Sequence, residues 1–357
     1  MKKLSEISLM TLFLAFILIC NGCKNRTYSS IEVDTLNVAE LEKQAERGNA
    51  DAQVELGRLY YVGERGIKKD YAKAVELFKK AVDKGNVYGK YRLAICYDEG
   101  NGVDANFTKA NTLYKEAFTA FSKMADAGDA KAQYYLGLCY DNGRGTGENK
   151  KLAFATYKKA AEQGYVNAQC GIGFCYFIGS GVTQSGQEAL KWWQLAAKQG
   201  DDVAQYSLGT YYEVTRSYNE AIKFYRLAAE QGNNLAQFRL GFCYEKGNGV
   251  PKSYTEAVKW YRLAAEQGDV PAQYNLGVCY YKGDGVPQSD TEAVKWFRLA
   301  AEQGYADAQY NLGLCYGKGN GVQQSESEAI KWFKKAAKQG IEEAKQILAK
   351  LGIYNYD

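Results

Sequence analysis

A period of 36 residues runs through the chain from about residue 49 onward, and it leaves few folds open. Aligned on a recurring Leu-Gly pair, eight units follow one another: Asn49–Gly85, Asn86–Gly128, Asp129–Gly164, Tyr165–Gly200, Asp201–Gly232, Asn233–Gly268, Asp269–Gly304 and Tyr305–Gly340. A unit of this size cannot bury its own apolar surface, so such units stack and share one continuous core. The 357 residues would suffice for two ordinary globular domains, but the repeat assigns nearly all of them to one array.

The seventh unit shows why the repeat is helical. Ala272, Leu276 and Tyr280 recur every fourth residue, which predicts a helix A over about Val270 to Lys282 with one buried face. Gly283-Asp284-Gly285-Val286 breaks it, the first glycine suiting the left-handed position after a helix end, and Pro287 lies just beyond. Ser289 caps a helix B, and Glu292 three residues on completes a capping box. The same pair recurs at Ser185/Glu188, Ser217/Glu220, Ser253/Glu256 and Ser325/Glu328, while Asp70, Asn106 and Asn149 cap the earlier helices. Ala293, Trp296, Phe297 and Ala300 form the buried stripe of helix B. Gly277 and its equivalents Gly57, Gly137, Gly173, Gly209, Gly241 and Gly313 admit helix B at close range, with Ala94 in the second unit. Two units depart from the pattern. The second carries seven extra residues, Phe118–Met124, which predict a helix B longer by two turns. The fifth lacks the glycine loop and turns through Glu213 to Ser217.

The residues Tyr274-Asn275-Leu276-Gly277, Tyr280-Tyr281-Lys282, the Gly-x-Gly-Val loop and the Trp-Phe…Ala-Ala ending resemble Sel-one-like repeats, a branch of the tetratricopeptide superfamily. The resemblance spans residues 49–340 and implies an all-α, right-handed α/α superhelical solenoid. It also implies adaptor or assembly roles with a protein or peptide partner. Residues 36–48 and 341–357 then read as capping helices at the two ends of the array.

Met1-Lys2-Lys3, an apolar run from Leu9 to Ile19 and Gly22-Cys23 make residues 1–22 resemble a bacterial lipoprotein signal, followed by a flexible linker over 23–35. By that resemblance Cys23 is lipidated, and the protein is exported to the bacterial envelope (periplasm or outer membrane) or secreted. The lipid is then its one link to a membrane, and a monomer is expected. Cys20 and Asn21 depart from the family pattern, so ordinary secretory cleavage and an uncleaved anchor stay open.

The chain has no histidine, which removes serine–histidine–acid triads, cysteine–histidine dyads and histidine-based zinc sites. A formal charge of +4 without a basic run gives no footprint for nucleic acid. Nothing calls for a cofactor or a metal. Cys96, Cys139, Cys175, Cys243, Cys279 and Cys315 occupy one position in successive units. Equivalent points in stacked repeats lie about 10 Å apart, too far for a disulfide, so these are compact core residues. The glycine loops follow helices and lack phosphate-cradle spacing, and no Ser-x-x-Lys or Lys-Thr-Gly is present for β-lactam chemistry.

The reading is therefore a non-enzymatic interaction scaffold. The geometry of tetratricopeptide-like arrays implies that Tyr91, Tyr134, Tyr206, Phe238, Tyr274 and Tyr310 line the concave helix-A surface, with Val54 and Cys170 as exceptions. Leu138, Phe174, Phe242, Val278 and Leu314 follow one turn on, and Asn275, Asn311, Tyr281 and Lys282 supply polar contacts. The competing expectation is that tight winding buries the column between adjacent A helices. An envelope enzyme acting on peptidoglycan or a β-lactam, and a secreted host-interaction factor, are the alternative functions.

Overall fold

The computed structural model describes residues 37–63 and 66–356; the signal-like segment, Cys23 and the linker lie outside the described residues. Those described form α-helices joined by turns, with no strand among them. A first helix, α1 (Val38–Glu46), precedes eight hairpins. The first four are α2 (Ala50–Val62) with α3 (Tyr71–Asp83), α4 (Val87–Glu99) with α5 (Phe107–Asp126), α6 (Ala130–Asn142) with α7 (Lys150–Glu162), and α8 (Val166–Ile178) with α9 (Gly186–Lys198). The others are α10 (Asp202–Val214) with α11 (Tyr218–Glu230), α12 (Asn234–Lys246) with α13 (Tyr254–Glu266), α14 (Val270–Lys282) with α15 (Asp290–Glu302), and α16 (Ala306–Lys318) with α17 (Glu326–Lys338). A last helix, α18 (Glu342–Lys350), closes the chain. Two compact units result, one ending at Ser207 and one beginning at Leu208, the division falling inside α10.

In the unit ending at Ser207, α1 buries Leu41 and Ala45 against Ala52, Leu56 and Leu59 of α2. Then α3, α5 and α7 each pack on their own helix A and on the next. The extra residues of the second repeat lengthen α5 to 20 residues against the usual 13, as expected. Its buried stripe of Ala110, Tyr114, Ala117, Phe121 and Ala125 stays in phase throughout. In the unit from Leu208, Ala344 and Leu348 of α18 pack on Phe333, Ala336 and Ala337 of α17.

Local chemistry explains the hairpin. Gly283 takes φ 77° and donates its N–H to the Cys279 carbonyl, ending α14. Gly277 admits the Phe297 ring, which a Cβ there would meet at 2.7 Å. The helix-B cap is simpler than the sequence suggests. Ser289 Oγ accepts the Glu292 N–H at 3.3 Å, but the Ser289 N–H is already taken by the Tyr280 carbonyl at 2.9 Å. The glutamate therefore has no backbone amide to satisfy and turns outward to Lys295. Ser217 makes no side-chain cap at all, which corrects the reading of that pair. The fifth repeat turns instead through Arg216, which adopts φ 61° without being glycine.

The second glycine of each loop has a role that periodicity did not disclose. Gly285 also has positive φ, and a Cβ on it would lie 2.4 Å from the Tyr254 carbonyl, the first residue of the preceding helix B. This contact sets how closely one repeat sits on the last. Gly145 makes the same approach, but to Tyr114, well inside α5.

Glutamines tie the repeats together. Gln273 donates from helix A to the Ala265 carbonyl of the repeat before, and accepts from Gln303 at the end of its own helix B at 2.8 Å. The same pattern joins Gln169 with Gln199, and Gln309 with Gln339. Buried amides satisfied in this way hold the register at little cost.

Candidate functional site

The helix-A column expected to line the inner surface does not behave as one stripe. Tyr91, Tyr134 and Tyr206 are buried, at 1%, 5% and 3% exposure, whereas Phe238, Tyr274 and Tyr310 are half-buried. The early rings are packed against other rings. Tyr91 meets Tyr114, Phe121 and Tyr135 edge-on at 5.5–6.0 Å, and its hydroxyl accepts from Arg144 Nη1. Tyr134 touches Tyr135, Tyr157 and Tyr165. These rings are core, so the continuous exposed column of the sequence reading is corrected: Tyr91, Tyr134 and Tyr206 are not available to a partner. Val54 and Cys170, the two exceptions, are buried too.

In the unit from Leu208 the column stays half open. Phe238 lies 5.9 Å from Tyr261, Tyr274 5.9 Å from Phe297 and 5.1 Å from Tyr305, and Tyr310 5.9 Å from Phe333. Each ring thus rests on the core of its own repeat, Tyr274 also meeting Tyr305 of the next, and each stays only half-buried. Phe242, Val278 and Leu314, one turn further along, are likewise half-buried. Asn311 Nδ2 reaches the Tyr274 hydroxyl at 3.4 Å, which makes the rungs of the seventh and eighth repeats immediate neighbours. Asn275 hydrogen-bonds the Tyr261 hydroxyl, which also donates to Glu245 at 2.7 Å. Its amide is therefore partly engaged within the fold. Tyr281 and Lys282 are exposed on the last turn of α14.

The tyrosine hydroxyls of this face are not poised to ionise. Partial burial, with Asp307 near Tyr274 and Glu343 near Tyr310, raises both above the ordinary phenol value. The repeated cysteines are no better as nucleophiles, because burial pushes Cys96, Cys139, Cys243 and Cys279 up to about 12 and Cys315 to about 11. No cluster of acidic residues and cysteines able to hold a metal occurs among the described residues.

One feature of this face is legible only when the repeats are laid in register. Lys282 has equivalents in Lys246 and Lys318, all three exposed at the ends of their A helices. The sequence reading singled out Lys282 alone. The 36-residue alignment, carried two turns past the aromatic column to the helix ends, contains the other two.

Comparison with known proteins agrees with the repeat fold. A model of the Sel1 repeat family matches eight segments, residues 50–86, 87–120, 130–165, 166–201, 202–233, 234–269, 270–305 and 306–341. Among solved structures, the chain is similar to c5321, described as a protective antigen present in uropathogenic Escherichia coli strains. The identity is 34% and the TM-score 0.60, over 89% of this chain and 67% of that one. A Sel1 repeat protein from Oxalobacter formigenes gives 31% identity and a TM-score of 0.60 over 88% and 89%. A curated relative is the ERAD-associated E3 ubiquitin-protein ligase component HRD3A of Arabidopsis thaliana, 45% identical over 17% of this chain. That match spans only 9% of the plant protein.

Proposed function

Because the chain belongs to the Sel1 repeat family, a family of stacked hairpins that present side chains along an extended surface, we propose that it is a non-enzymatic protein-interaction scaffold. Its partner segment lies along the helix-A face of repeats six to eight. The observation that carries this reading is the half-open column of Phe238, Tyr274 and Tyr310. Large rings with few rotors gain much on being covered and lose little entropy in doing so. Asn311, Tyr281 and Lys282 border the column and supply polar contacts. The absence of histidine and the raised cysteines support a binding role over catalysis.

The same reading places the protein in the bacterial envelope, held by a lipid on Cys23. The signal-like run before that cysteine supports it, as does the likeness to a protein described as a protective antigen. Replacing Cys23 by alanine releases the protein from the membrane fraction if this is right; unchanged membrane retention would refute the anchor.

Photo-crosslinking from position 274 in the native cell tests the scaffold. A discrete protein adduct, lost when Phe238 and Tyr310 are replaced by alanine, is the expected result. Adducts to nothing but neighbouring residues of the same chain would refute a partner face. Turnover of nitrocefin or of muropeptides by the purified protein would favour an envelope enzyme instead.

A further inference from the structure

We infer that the helix-A face of repeats six to eight selects an extended peptide in which every third side chain is apolar and carboxylates lie between. This rests on the scaffold reading above and adds the chemistry of the partner.

Three observations on this face coincide. The first is the paired apolar rungs, Phe238/Phe242, Tyr274/Val278 and Tyr310/Leu314, all half-buried. The second is the row Lys246, Lys282 and Lys318, one turn beyond each pair and exposed. Lysine at the end of a helix is favoured by the helix dipole in any case. Yet the five earlier A helices, α2, α4, α6, α8 and α10, carry no base in the last turn, so the dipole alone does not demand one. The half-open apolar column and the basic row therefore occupy the same three repeats.

The third observation is that two of these lysines are unspent. The lysines of the B helices are paired within their own helix: Lys259 with Glu256, Lys295 with Glu292 and Lys331 with Glu328, at 2.5, 3.5 and 3.0 Å. Lys246 meets Glu245 at 2.6 Å. Among the described residues, Lys282 and Lys318 have no carboxylate within ion-pair distance. Asp307 and Glu343 lie by the tyrosines, away from the lysine ends of α14 and α16. On the lysine edge Glu245 is taken by Lys246 and Asp284 lies near Cys279. The basic edge is therefore carried by Lys282 and Lys318, and it faces an acidic one at the tyrosines. Carboxylates on a bound segment are drawn to the first and repelled by the second, which fixes its lateral placement.

Spacing supplies the period. Stacked helices lie about 10 Å apart, and a segment in the polyproline II conformation advances about 3.1 Å per residue with three residues per turn. One rung thus matches about three residues, and every third side chain faces the same way. A peptide with an apolar residue at every third position and carboxylates between presents one anchor and at least one negative charge to each repeat.

The test uses the full chain and three fluorescein-labelled peptides of about nine residues, built from Leu-Glu-Glu, Leu-Gln-Gln and Leu-Lys-Lys, read by fluorescence anisotropy. Leu-Glu-Glu is expected to bind at least about tenfold more tightly than Leu-Gln-Gln at low salt, with the gap closing as salt is raised. The combined variant Lys246→Gln, Lys282→Gln, Lys318→Gln should abolish that gap, so that Leu-Glu-Glu binds no more tightly than Leu-Gln-Gln. Phe238→Ala with Tyr274→Ala and Tyr310→Ala should weaken both peptides, with far-UV circular dichroism confirming the helices. Equal binding of the acidic and neutral peptides, a preference for Leu-Lys-Lys, or an acidic preference that survives loss of the lysines overturns the inference. In those cases the scaffold reading stands if the ring variant still weakens binding. If no peptide binds, the inference is overturned, and the crosslink from position 274 decides separately whether the face has any partner.

Discussion

The junction between the second and third repeats and that between the sixth and seventh are built from the same parts in different positions. At the regular junction Gly285 rests on Tyr254, the first residue of α13, and the residue between the loop glycines is Asp284. At the irregular one Gly145 rests on Tyr114, seven residues into α5, and the intervening residue is Arg144. Seven residues of helix are about 10 Å, so the third repeat has slid two turns along its support without changing the kind of contact it makes. Arg144 then reaches the space this opens. Its guanidinium lies over the Tyr114 and Tyr91 rings at 5.3 and 5.7 Å, and Nη1 donates to the Tyr91 hydroxyl at 3.2 Å. A helical support is periodic along its axis, so a solenoid accepts insertions of whole turns. What it does not accept is a side chain at the point of closest backbone approach.

The strongest way to break that comparison is to put a methyl group there. Gly285→Ala forces both a left-handed alanine and a collision with the Tyr254 backbone, and should cost roughly 4 kcal/mol, measured by denaturant unfolding. Gly145→Ala should cost about as much, since its Cβ would meet the Tyr114 carbonyl at 2.4 Å. Gly268, which also has positive φ but nothing near its missing Cβ, is the control, and alanine there should cost only about 1 kcal/mol. Equal losses at Gly268 and Gly285 would mean that conformation, not close approach, sets the stacking.

The caps of the A helices sharpen the contrast at the next level of effect. Asp129, which starts α6 at the irregular junction, is exposed, while Asp269, which starts α14, is 8% exposed. Burial raises the Asp269 carboxyl from 3.8 to about 6, opposed by its hydrogen bond from the Ala272 amide. An acid whose folded value lies above its unfolded one stabilises the fold most when protonated. That contribution is whole below about pH 4 and is lost as pH rises through about 6, a difference of about 3 kcal/mol for a shift of this size. Asp269→Asn keeps the cap, as Asn233 does for Ala236, and should raise the melting temperature at pH 7 but not at pH 4. A difference between the two proteins that stays constant across that range would show that the carboxyl is not held as described.

Most of the fold was legible because the sequence states it eight times. Helix A of the seventh repeat runs over the predicted residues, and the two extra turns of α5 follow from the count of inserted residues. The site was less legible, for a physical reason. The aromatic column is a property of helix A, but whether its rings are covered depends on which neighbours each ring meets. Tyr91 has Phe121, supplied by the insertion, whereas among the described residues Tyr310 has one ring partner, Phe333. Equivalent sequence positions therefore differ in exposure. The half-formed capping box was hidden for a similar reason, since the amide that the glutamate would satisfy is taken by the Tyr280 carbonyl from another helix.

Arg144 gives a smaller effect that still separates the junctions. Arg144→Ala removes a part-buried hydrogen bond and two ring contacts and should cost about 2 kcal/mol. Asp284→Ala, at the same loop position of the regular junction, should cost less than about 0.5 kcal/mol. Amide hydrogen exchange along α5 and α6 is the suitable readout, because stability in a repeat array is local. Comparable losses at the two sites would mean that the shifted repeat does not depend on the arginine.

The first repeat offers the mildest change and one that should add stability. Where the third to eighth repeats end helix B in glutamine, this one has Lys84, whose ammonium donates to the Gly48 carbonyl. Gln199 and Gln339 donate to the corresponding carbonyls of Gly164 and Gly304, and also to the helix-A glutamines Gln169 and Gln309 at 2.8 Å. Lysine reaches only the first of these two acceptors. Gln53 Nε2 donates to Ala45, but Gln53 Oε1 is buried with no protein partner. Lys84→Gln should give that oxygen its donor while keeping the bond to Gly48, and so stabilise the first repeat by about 1 kcal/mol. The gain should appear as slower hydrogen exchange in α2 and α3 and leave α14 and α15 unchanged. A neutral or destabilising result would mean that the ammonium at Gly48 contributes more than a completed glutamine pair, and that the ladder of the later repeats is one of two equivalent ways to close a junction.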